Sequence, residues 1–222
     1  MSIKTNAVGC DGIGVRMLIL CCPFAAPFMT HIINSCLKNS VCPDIWKCAN
    51  VIPLPKINNP QEFKDLRPIS ILPVLSKVFE KIVAQQITSH LNRYHILPDG
   101  QSGFRKGYSY TTALLNITGD ILAATDKGML TALVMLDYSK AFDTISHRTL
   151  VAILHFVGLD TDAIALIGNY LHCRQQRVIL NNATSMFLPI TGGVPQGSIL
   201  GPLLYTIYTC NFGSCLRQCR YN

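Results

Sequence analysis

The spacing of apolar side chains predicts a chain of alternating helices and strands. Apolar residues recur at helical intervals from Pro73 to Leu91, which predicts a long helix with one buried stripe. The stripe consists of Val74, Phe79, Ile82, Val83, Ile87 and Leu91. Further helices are predicted over residues 109–125, from Ser146 towards Phe156, and over residues 161–171 and 202–208. This alternation indicates the α/β class.

Short apolar runs predict the strands. Residues 131–136 show no polar alternation, which indicates a strand buried on both faces. Residues 51–56 predict a strand that its prolines confine to a sheet edge, and residues 66–72 predict another. Residues 177–180 and 186–190 flank an Asn-Asn turn and predict a hairpin.

The first 50 residues raise the question of a membrane. Residues 17–29 are apolar, but this run is shorter than the roughly 20 residues that a span requires, and it contains Pro23 and Pro27. We therefore expect two helical stretches that break at Pro23, with the apolar run buried in the protein and no membrane partner. The ten cysteines are expected to be reduced, as in an intracellular protein of the nucleus or cytoplasm.

The charge of the chain favours an anionic partner. The sequence has 19 Lys and Arg against 12 Asp and Glu, a formal net charge of +7. The excess concentrates between Trp46 and Gly107, which predicts a polyanion-binding surface there. The basic residues of this segment are Lys47, Lys56, Lys64, Arg67, Lys77, Lys81, Arg93, Arg105 and Lys106. On charge alone, a merely basic soluble protein remains an alternative.

Asp137 follows directly on the apolar run 131–136. A carboxylate at the end of a buried strand costs desolvation free energy unless a cation or another partner satisfies it, so a metal ligand is one interpretation. A helix N-cap is the alternative for this residue taken alone.

A second informative stretch, residues 192–204, contains four glycines and two prolines. The glycines let the backbone lie close to whatever it packs on, and Ser198 can cap the apolar helix that follows. The letters LDYSKAFD, which begin at Leu136, and GVPQGSILGPLL, which begin at Gly193, resemble motifs A and B of reverse transcriptases. Their wording is similar to the non-LTR (LINE-type) retrotransposon branch. Residues 134–143 are called motif A below, and residues 192–204 motif B.

This resemblance implies a fragment of the right-handed polymerase fold. Residues 1–130 would form an N-terminal extension and the fingers, and residues 131–222 a partial palm that carries motifs A and B. The implied activity is RNA-directed DNA synthesis on an RNA template and a DNA primer with deoxynucleotide triphosphates. The implied cofactor is Mg²⁺, with Mn²⁺ as a substitute. Asp137 would be the catalytic metal ligand, and the carbonyl of Tyr138 would supply a further oxygen.

The resemblance also assigns residues to the incoming nucleotide. Lys56 and Arg67 would contact its triphosphate, and the planar guanidinium of Arg67 suits phosphate oxygens better. A solvated loop charge remains the alternative for Lys56. Phe142 would lie under the sugar, Gln196 would touch nucleotide or template, and Gly197 would let the backbone approach closely.

A basic and aromatic loop is implied to contact the template. The letters QSGFRKG, which begin at Gln101, resemble the family's Q-x-G-F-R motif. Arg105 would contact the template backbone beside Lys106, and Phe104 would stack on a base or pack beneath Arg105. The alternative for Arg105 is an ordinary surface charge.

One family feature does not occur in these letters. The family's metal ligands include an adjacent Asp pair, and the sequence contains no Asp-Asp pair. We therefore expect an incomplete metal site and a polymerase fragment that is inactive alone. The competing hypothesis is a non-catalytic nucleic-acid-binding relic of a broken element. An RNA-dependent RNA polymerase is a weaker third hypothesis, because the bulky Phe142 would oppose a ribose.

Overall fold

The computed structural model of the chain describes residues 7–181 and 183–215. Its helices are α1 (Val15–Asn39), α2 (Val74–Arg93), α3 (Tyr110–Asp126), α4 (His147–Phe156), α5 (Thr161–Leu171) and α6 (Leu200–Thr209). Its strands are β1 (Cys48–Pro55), β2 (Leu66–Ile71), β3 (Arg174–Leu180), β4 (Ala183–Thr184) and β5 (Leu188–Ile190). The chain is therefore mixed α/β, as predicted.

The strands form one mixed sheet in which β1 lies between β2 and β3. β1 is antiparallel to β2 over residues 50–55 and parallel to β3 only over residues 48–51. The prediction that prolines confine β1 to an edge is thus wrong for its first half. Pro53 and Pro55 lie beyond the part that pairs with β3, where a missing amide costs no bond to that strand.

The core lies where helices α2, α4, α5 and α6 pack together beside the sheet. The predicted stripe of α2 is confirmed, because Val74, Phe79, Val83, Ile87 and Leu91 are buried and Ile82 packs against the core. Residues from both sides of position 130 contribute to this one core. Helix α6, which begins within motif B, is therefore anchored in the core by its contacts with α2 and α4.

Several predicted helix and turn signals are confirmed. Ser146 begins α4 by accepting a hydrogen bond from the amide of Thr149 (3.3 Å). Gly158 follows α4 with φ of 76°. The predicted hairpin forms with a different register. The end of β3 pairs with β4, with Leu180 opposite Ala183, and β5 pairs with the start of β3, with Gln175 opposite Pro189. Its predicted turn includes Asn182, which lies outside the described residues.

The predicted buried strand at residues 131–136 is wrong. Every side chain there is exposed, and none of the described strands includes these residues. Val134 is 77% exposed and Met135 is 86% exposed. A strand needs a neighbour for its backbone groups, and no described strand pairs with this run. The apolar pattern indicated a demand for burial, but it could not identify a partner.

The predicted break and burial of the N-terminal apolar run are also wrong. α1 continues through Pro23 and Pro27 as one helix, and in it only Ile33 and Cys36 are buried. Phe24 is 83% exposed, so water can satisfy the carbonyls that the prolines leave without amide partners. By length and composition alone, α1 could cross a membrane, a test that signal sequences and core helices also pass.

Candidate active site

Motif A ends in a tight turn that follows the exposed run. The carbonyl of Lys140 accepts hydrogen bonds from the amides of Asp143 (2.8 Å) and Thr144 (3.1 Å). Lys140 itself has φ of 54°, in the left-handed region. Asp137 and Tyr138 precede this turn and are exposed, so their oxygen atoms are open to solvent.

The start of motif B is bonded to the end of motif A. The amide of Gly193 donates to the carbonyl of Ile145, and the amide of Val194 donates to that of Phe142, both at 2.8 Å. Nε2 of His147 lies 2.7 Å from the carbonyl oxygen of Gly193. A Cβ atom on Gly193 would lie 2.7 Å from the Phe142 carbonyl, so only glycine fits. The two motifs thus share one backbone framework.

The Gln196-Gly197 turn of motif B is bonded in turn to strand β2. The amide of Ser70 donates to the carbonyl of Gln196 at 2.6 Å. Gly197 has φ of 119°, and a Cβ atom there would lie 2.5 Å from the carbonyl oxygen of Ser70. The close backbone approach expected at Gly197 is therefore made to β2. Motif B connects motif A with the strand that carries Arg67.

Lys56 and Arg67 flank one loop, as the sequence predicts. Arg67 is exposed on β2 opposite Leu54 of β1. The amide of Lys56 donates to the carbonyl of Asp65, and its Nζ donates to the carbonyl of Lys64, both at 2.7 Å. These bonds hold Lys56 against the loop while its charge stays exposed.

The Lys56 charge also acts on motif A. Burial raises the pKa of Asp143, while the charges of Lys140 and Lys56 oppose that rise. Lys56 therefore lies close enough to affect a carboxylate more than 80 residues away in sequence. The loop after β1 and the motif A turn form one electrostatic neighbourhood.

Phe142 belongs to an aromatic cluster. Its ring lies 5.3 Å from the ring of Tyr205 on α6 and 6.0 Å from the ring of Phe104, measured between centroids. The contact with Phe104 is edge-on, at an angle of 76°. The cluster joins three segments that lie far apart in the sequence.

Tyr205 also connects this cluster to Asp137. Burial raises the pKa of Tyr205, and the charges of Tyr138 and Asp137 raise it further. Tyr138 makes an edge-on contact with Phe212 just beyond α6, at 6.2 Å between centroids. Asp137 is thus near α6, although the run before it is not paired in the sheet.

Two oxygen donors in this region are of the type that a divalent metal ion needs. The carboxylate of Asp137 and the carbonyl of Tyr138 are hard oxygen ligands of the kind that Mg²⁺ prefers. Within the described ranges, no three His, Cys, Asp or Glu side chains are grouped closely enough to hold a metal ion. The donor chemistry fits the implied ion, but the described ligand set is not complete.

The basic and aromatic loop after α2 is fixed to α6. Nε2 of Gln101 donates to the carbonyl of Thr206 at 3.2 Å. Nη1 of Arg105 donates to the carbonyl of Pro98 at 2.9 Å, and its guanidinium lies 4.6 Å above the ring of Tyr108. Arg105 therefore takes part in closing its own loop.

Phe104 and Lys106, on either side of Arg105, point to solvent. Phe104 is 62% exposed with φ of 57°, and Lys106 is exposed. The loop thus presents one ring and one charge beside the Phe142 cluster.

The predicted polyanion surface loses one of its members. Lys47 is 4% exposed, and its Nζ lies 3.1 Å from the carboxylate of Asp44. Counting charges in a sequence cannot show that Lys47 points inwards next to the buried Trp46. Lys47 is therefore not part of an exposed basic surface.

Three residues that shape the site were missed by sequence reasoning. Glu80 is a fully buried carboxylate beneath motif B, and its position inside the apolar stripe of α2 was an available signal. Tyr205 lies within an apolar helical run that also contains Thr206 and Tyr208, so no local feature distinguishes it. Ser70 acts through its backbone, so no pattern could reveal it.

Comparison with known proteins identifies the family. Residues 54–221 match the family described as reverse transcriptase (RNA-dependent DNA polymerase). The chain is 33% identical to the probable RNA-directed DNA polymerase from transposon BS of Drosophila melanogaster, over 83% of this chain. It is 34% identical to that of the X-element and 29% identical to the polymerase of mobile element jockey, both from the same fly, over 82% and 91% of this chain.

The chain spans about a fifth of the length of these relatives, since the matches cover 20% to 22% of them. Motif A and motif B both lie within the matched range, as does the loop that carries Arg105. The chain therefore belongs to the reverse transcriptase family, in the branch of the non-LTR retrotransposons.

Proposed function

We propose that the chain supplies the nucleotide- and template-binding part of an RNA-directed DNA polymerase. In this proposal residues 1–130 are the N-terminal extension and fingers, and residues 131–222 are part of the palm. One observation carries it: motif B is bonded both to Phe142 of motif A and to Ser70 of β2. Three segments with assigned nucleotide contacts are thereby held in one framework.

The nucleotide would lie across this framework. Arg67 would bind phosphate oxygens through its planar guanidinium, and Lys56 would add a second positive charge. Phe142 would support the sugar, and Gln196 would contact the base or the template. Gly197 lets the turn lie close against β2, and its own backbone stays exposed.

Asp137 would hold a divalent metal ion together with the carbonyl of Tyr138. When bound, Mg²⁺ or Mn²⁺ in such a site activates the primer hydroxyl and neutralises the phosphate charge. The exposure of both residues leaves their oxygen atoms open to an ion. Asp143 lies close enough to Lys140 and Lys56 for their positive charges to oppose the rise of its pKa.

The loop of Phe104, Arg105 and Lys106 would bind the RNA template. Lys106 would contact a phosphate, and Phe104 could stack on an unpaired base. Arg105 would order the loop, and the rest of its guanidinium would face the backbone of the RNA template.

A chimaeric polymerase tests this function. The segment of the Drosophila melanogaster jockey polymerase that aligns with this chain is replaced by the residues of this chain. We expect RNA-templated primer extension with Mg²⁺, and we expect Asp137→Asn to abolish it. Asp99→Asn, on the loop after α2, is the matched control and should keep activity.

Folding of each chimaera is checked by thermal melting and by RNA binding. A folded, RNA-binding chimaera that does not extend a primer contradicts the proposal. Equal activity in the Asp137→Asn variant contradicts the role of Asp137.

A second candidate function is non-catalytic binding of nucleic acid. It is favoured by the exposed Phe104 and Lys106 of the Arg105 loop, which suit RNA and need no metal ion. We expect the 222 residues alone to give no primer extension on poly(rA)/oligo(dT) with Mg²⁺ or Mn²⁺, because Asp137 supplies only one side of a two-metal site. Template-dependent incorporation above an Asp137→Ala control would contradict this expectation.

A further inference from the structure

Glu80 of α2 is a buried carboxylate that binds the start of α6. Its Oε2 accepts hydrogen bonds from the amides of Ile199 (2.6 Å) and Leu200 (3.2 Å). Its Oε1 accepts a hydrogen bond from Oγ of Ser76 at 3.1 Å. Both oxygen atoms are therefore used, and the side chain is fully buried.

A buried cation accompanies this carboxylate. Arg174 of β3 is 1% exposed, and its Nη1 donates to the carbonyl of Tyr170 at 3.1 Å. Burial raises the pKa of Glu80, and the charge of Arg174 is the first of several effects that oppose the rise. The other opposing effects are the hydrogen bonds from the backbone and from Ser76.

Two side chains, those of Ser198 and Glu80, accept hydrogen bonds from the amides at the start of α6. Oγ of Ser198 accepts from the amide of Gly201 at 2.9 Å and donates to the carbonyl of Pro195 at 2.9 Å. These are bonds within motif B. Glu80, which lies on a different helix, accepts hydrogen bonds from the amides of Ile199 and Leu200.

The Gln196-Gly197 turn is therefore held from two sides. Ser70 fixes the carbonyl of Gln196, and Glu80 fixes the amide of Ile199 two residues after Gly197. A charged acceptor makes stronger hydrogen bonds than a neutral one, and a buried amide that loses its acceptor has no water to replace it. The position of the turn thus depends on a side chain outside motif B.

We propose that Glu80 is a positioning residue that holds the Gln196-Gly197 turn in the geometry that receives the nucleotide. This role rests on the proposed nucleotide site. Glu80 does not contact the nucleotide, and it acts through the first amides of α6.

The test uses the 222-residue chain with dTTP and MgCl₂ as the probe. Glu80→Met keeps the volume without an acceptor, and Glu80→Gln keeps a neutral acceptor. Gln86→Met, on the exposed face of the same helix, is the matched control. We expect Glu80→Met to raise the dTTP Kd about tenfold and Glu80→Gln about threefold, in line with the loss of a buried acceptor or of its charge.

RNA affinity is measured on the same variants, because loss of overall structure would weaken both ligands together. We expect the Kd for a single-stranded RNA to change less than about twofold in each variant, since the Arg105 loop bonds to Thr206 in the second half of α6 and not to Ile199 or Leu200. Amide hydrogen exchange should rise at Ile199 and Leu200 in Glu80→Met, and rise less at Gly201, whose acceptor is Ser198.

The outcomes separate the two proposals. If the unaltered chain binds no dTTP, the proposed nucleotide site fails and this role fails with it. If the unaltered chain binds dTTP and both Glu80 variants bind it equally well, only the positioning role is overturned. If Glu80→Met does not fold, Glu80→Gln decides: unchanged dTTP affinity and unchanged exchange at Ile199 overturn the role.

Discussion

The ring of Phe142 lies 5.3 Å from the ring of Tyr205, with the two planes inclined at 37°. The contact connects motif A to the helix that motif B begins. Phe104, in the loop that carries Arg105, also contacts the ring of Phe142. Two separate segments therefore hold the Phe142 ring in position. A fixed position suits the proposed role of this ring, which is to exclude the 2′-hydroxyl of a ribose.

We predict that Phe142 discriminates between sugars. In the chimaeric polymerase, Phe142→Ala should raise the ratio of kcat/KM for ribonucleotides to that for deoxynucleotides by about tenfold, because the ring would no longer oppose a 2′-hydroxyl. Phe156→Ala, a 75% exposed residue on α4, is the control. An unchanged ratio would mean that Phe142 is only a packing residue.

We predict that the Arg105 loop binds RNA through phosphate contacts. The logarithm of the binding constant should fall with the logarithm of salt concentration, by roughly 0.7 for each phosphate contact to a single strand. Lys106→Ala and Arg105→Ala should each flatten this slope by about one contact's worth. Arg105→Ala should also lower the melting temperature, because Arg105 bonds to Pro98.

The matched control for RNA binding is Lys38→Ala. Lys38 is exposed in the last turn of α1 and lies outside the basic segment. Affinity that does not change between dilute and moderate salt would refute phosphate binding by this loop.

We predict that Gly197 tolerates no side chain. Gly197→Ala should destabilise the chain by about 1–3 kcal/mol or more, because the Cβ atom would meet the Ser70 carbonyl and φ is unfavourable. Gly119→Ala is the matched control. Gly119 lies within α3 with open space around it, so alanine should stabilise the helix by about 0.5–1 kcal/mol. Urea unfolding measures both, and equal effects would contradict the packing at Ser70.

We predict that the thiols of this chain differ in reactivity. Burial, followed by the charges of Cys48 and Asp11, raises the pKa of Cys10 to about 11, and burial raises that of Cys42 to about 12. Since the thiolate is the nucleophile, iodoacetamide at pH 8 should label the exposed Cys22 well before either of them. Mass spectrometry of timed samples measures the order, and early labelling of Cys42 would contradict its burial.

The raised pKa values of Cys10 and Cys42 also predict how the stability of the fold changes with pH. The thiols of Cys10 and Cys42 keep their protons in the folded chain to higher pH than in the unfolded chain, where they ionise near pH 9. Their contribution to folding is therefore complete below pH 9 and is lost as the pH rises from 9 towards 12. A Cys10→Ala, Cys42→Ala double variant should lose less stability over that interval.

Local signals in the sequence were sufficient to predict the helices of the core. The stripe of α2 and the cap at Ser146 depend on neighbouring residues, so periodicity and capping chemistry reveal them. The run 131–136 shows the limit of this reasoning. Its pattern predicts burial, but a strand also depends on a partner that the pattern does not specify.

Motif letters nominate the members of the candidate site, but they do not indicate the connections between them. Phe142 and Gln196 are recognised from motif letters, whereas the bonds from Ser70 to Gln196 and from Glu80 to Ile199 join residues far apart in sequence. Such pairs follow from the packing of α2 and β2 against motif B. No local period encodes them.

The bonds from Glu80 to α6 also determine when the site can form during synthesis. Glu80 and Leu200 are separated by 120 residues. The carboxylate therefore emerges from the ribosome long before the amides that donate to it have been made. At the usual rate of translation this interval lasts about 6–24 seconds. During that time α2 carries a charged group on the face that later becomes the core, which disfavours premature burial of the helix. The proposed nucleotide site would thus be a late product of translation, completed only when motif B has been made.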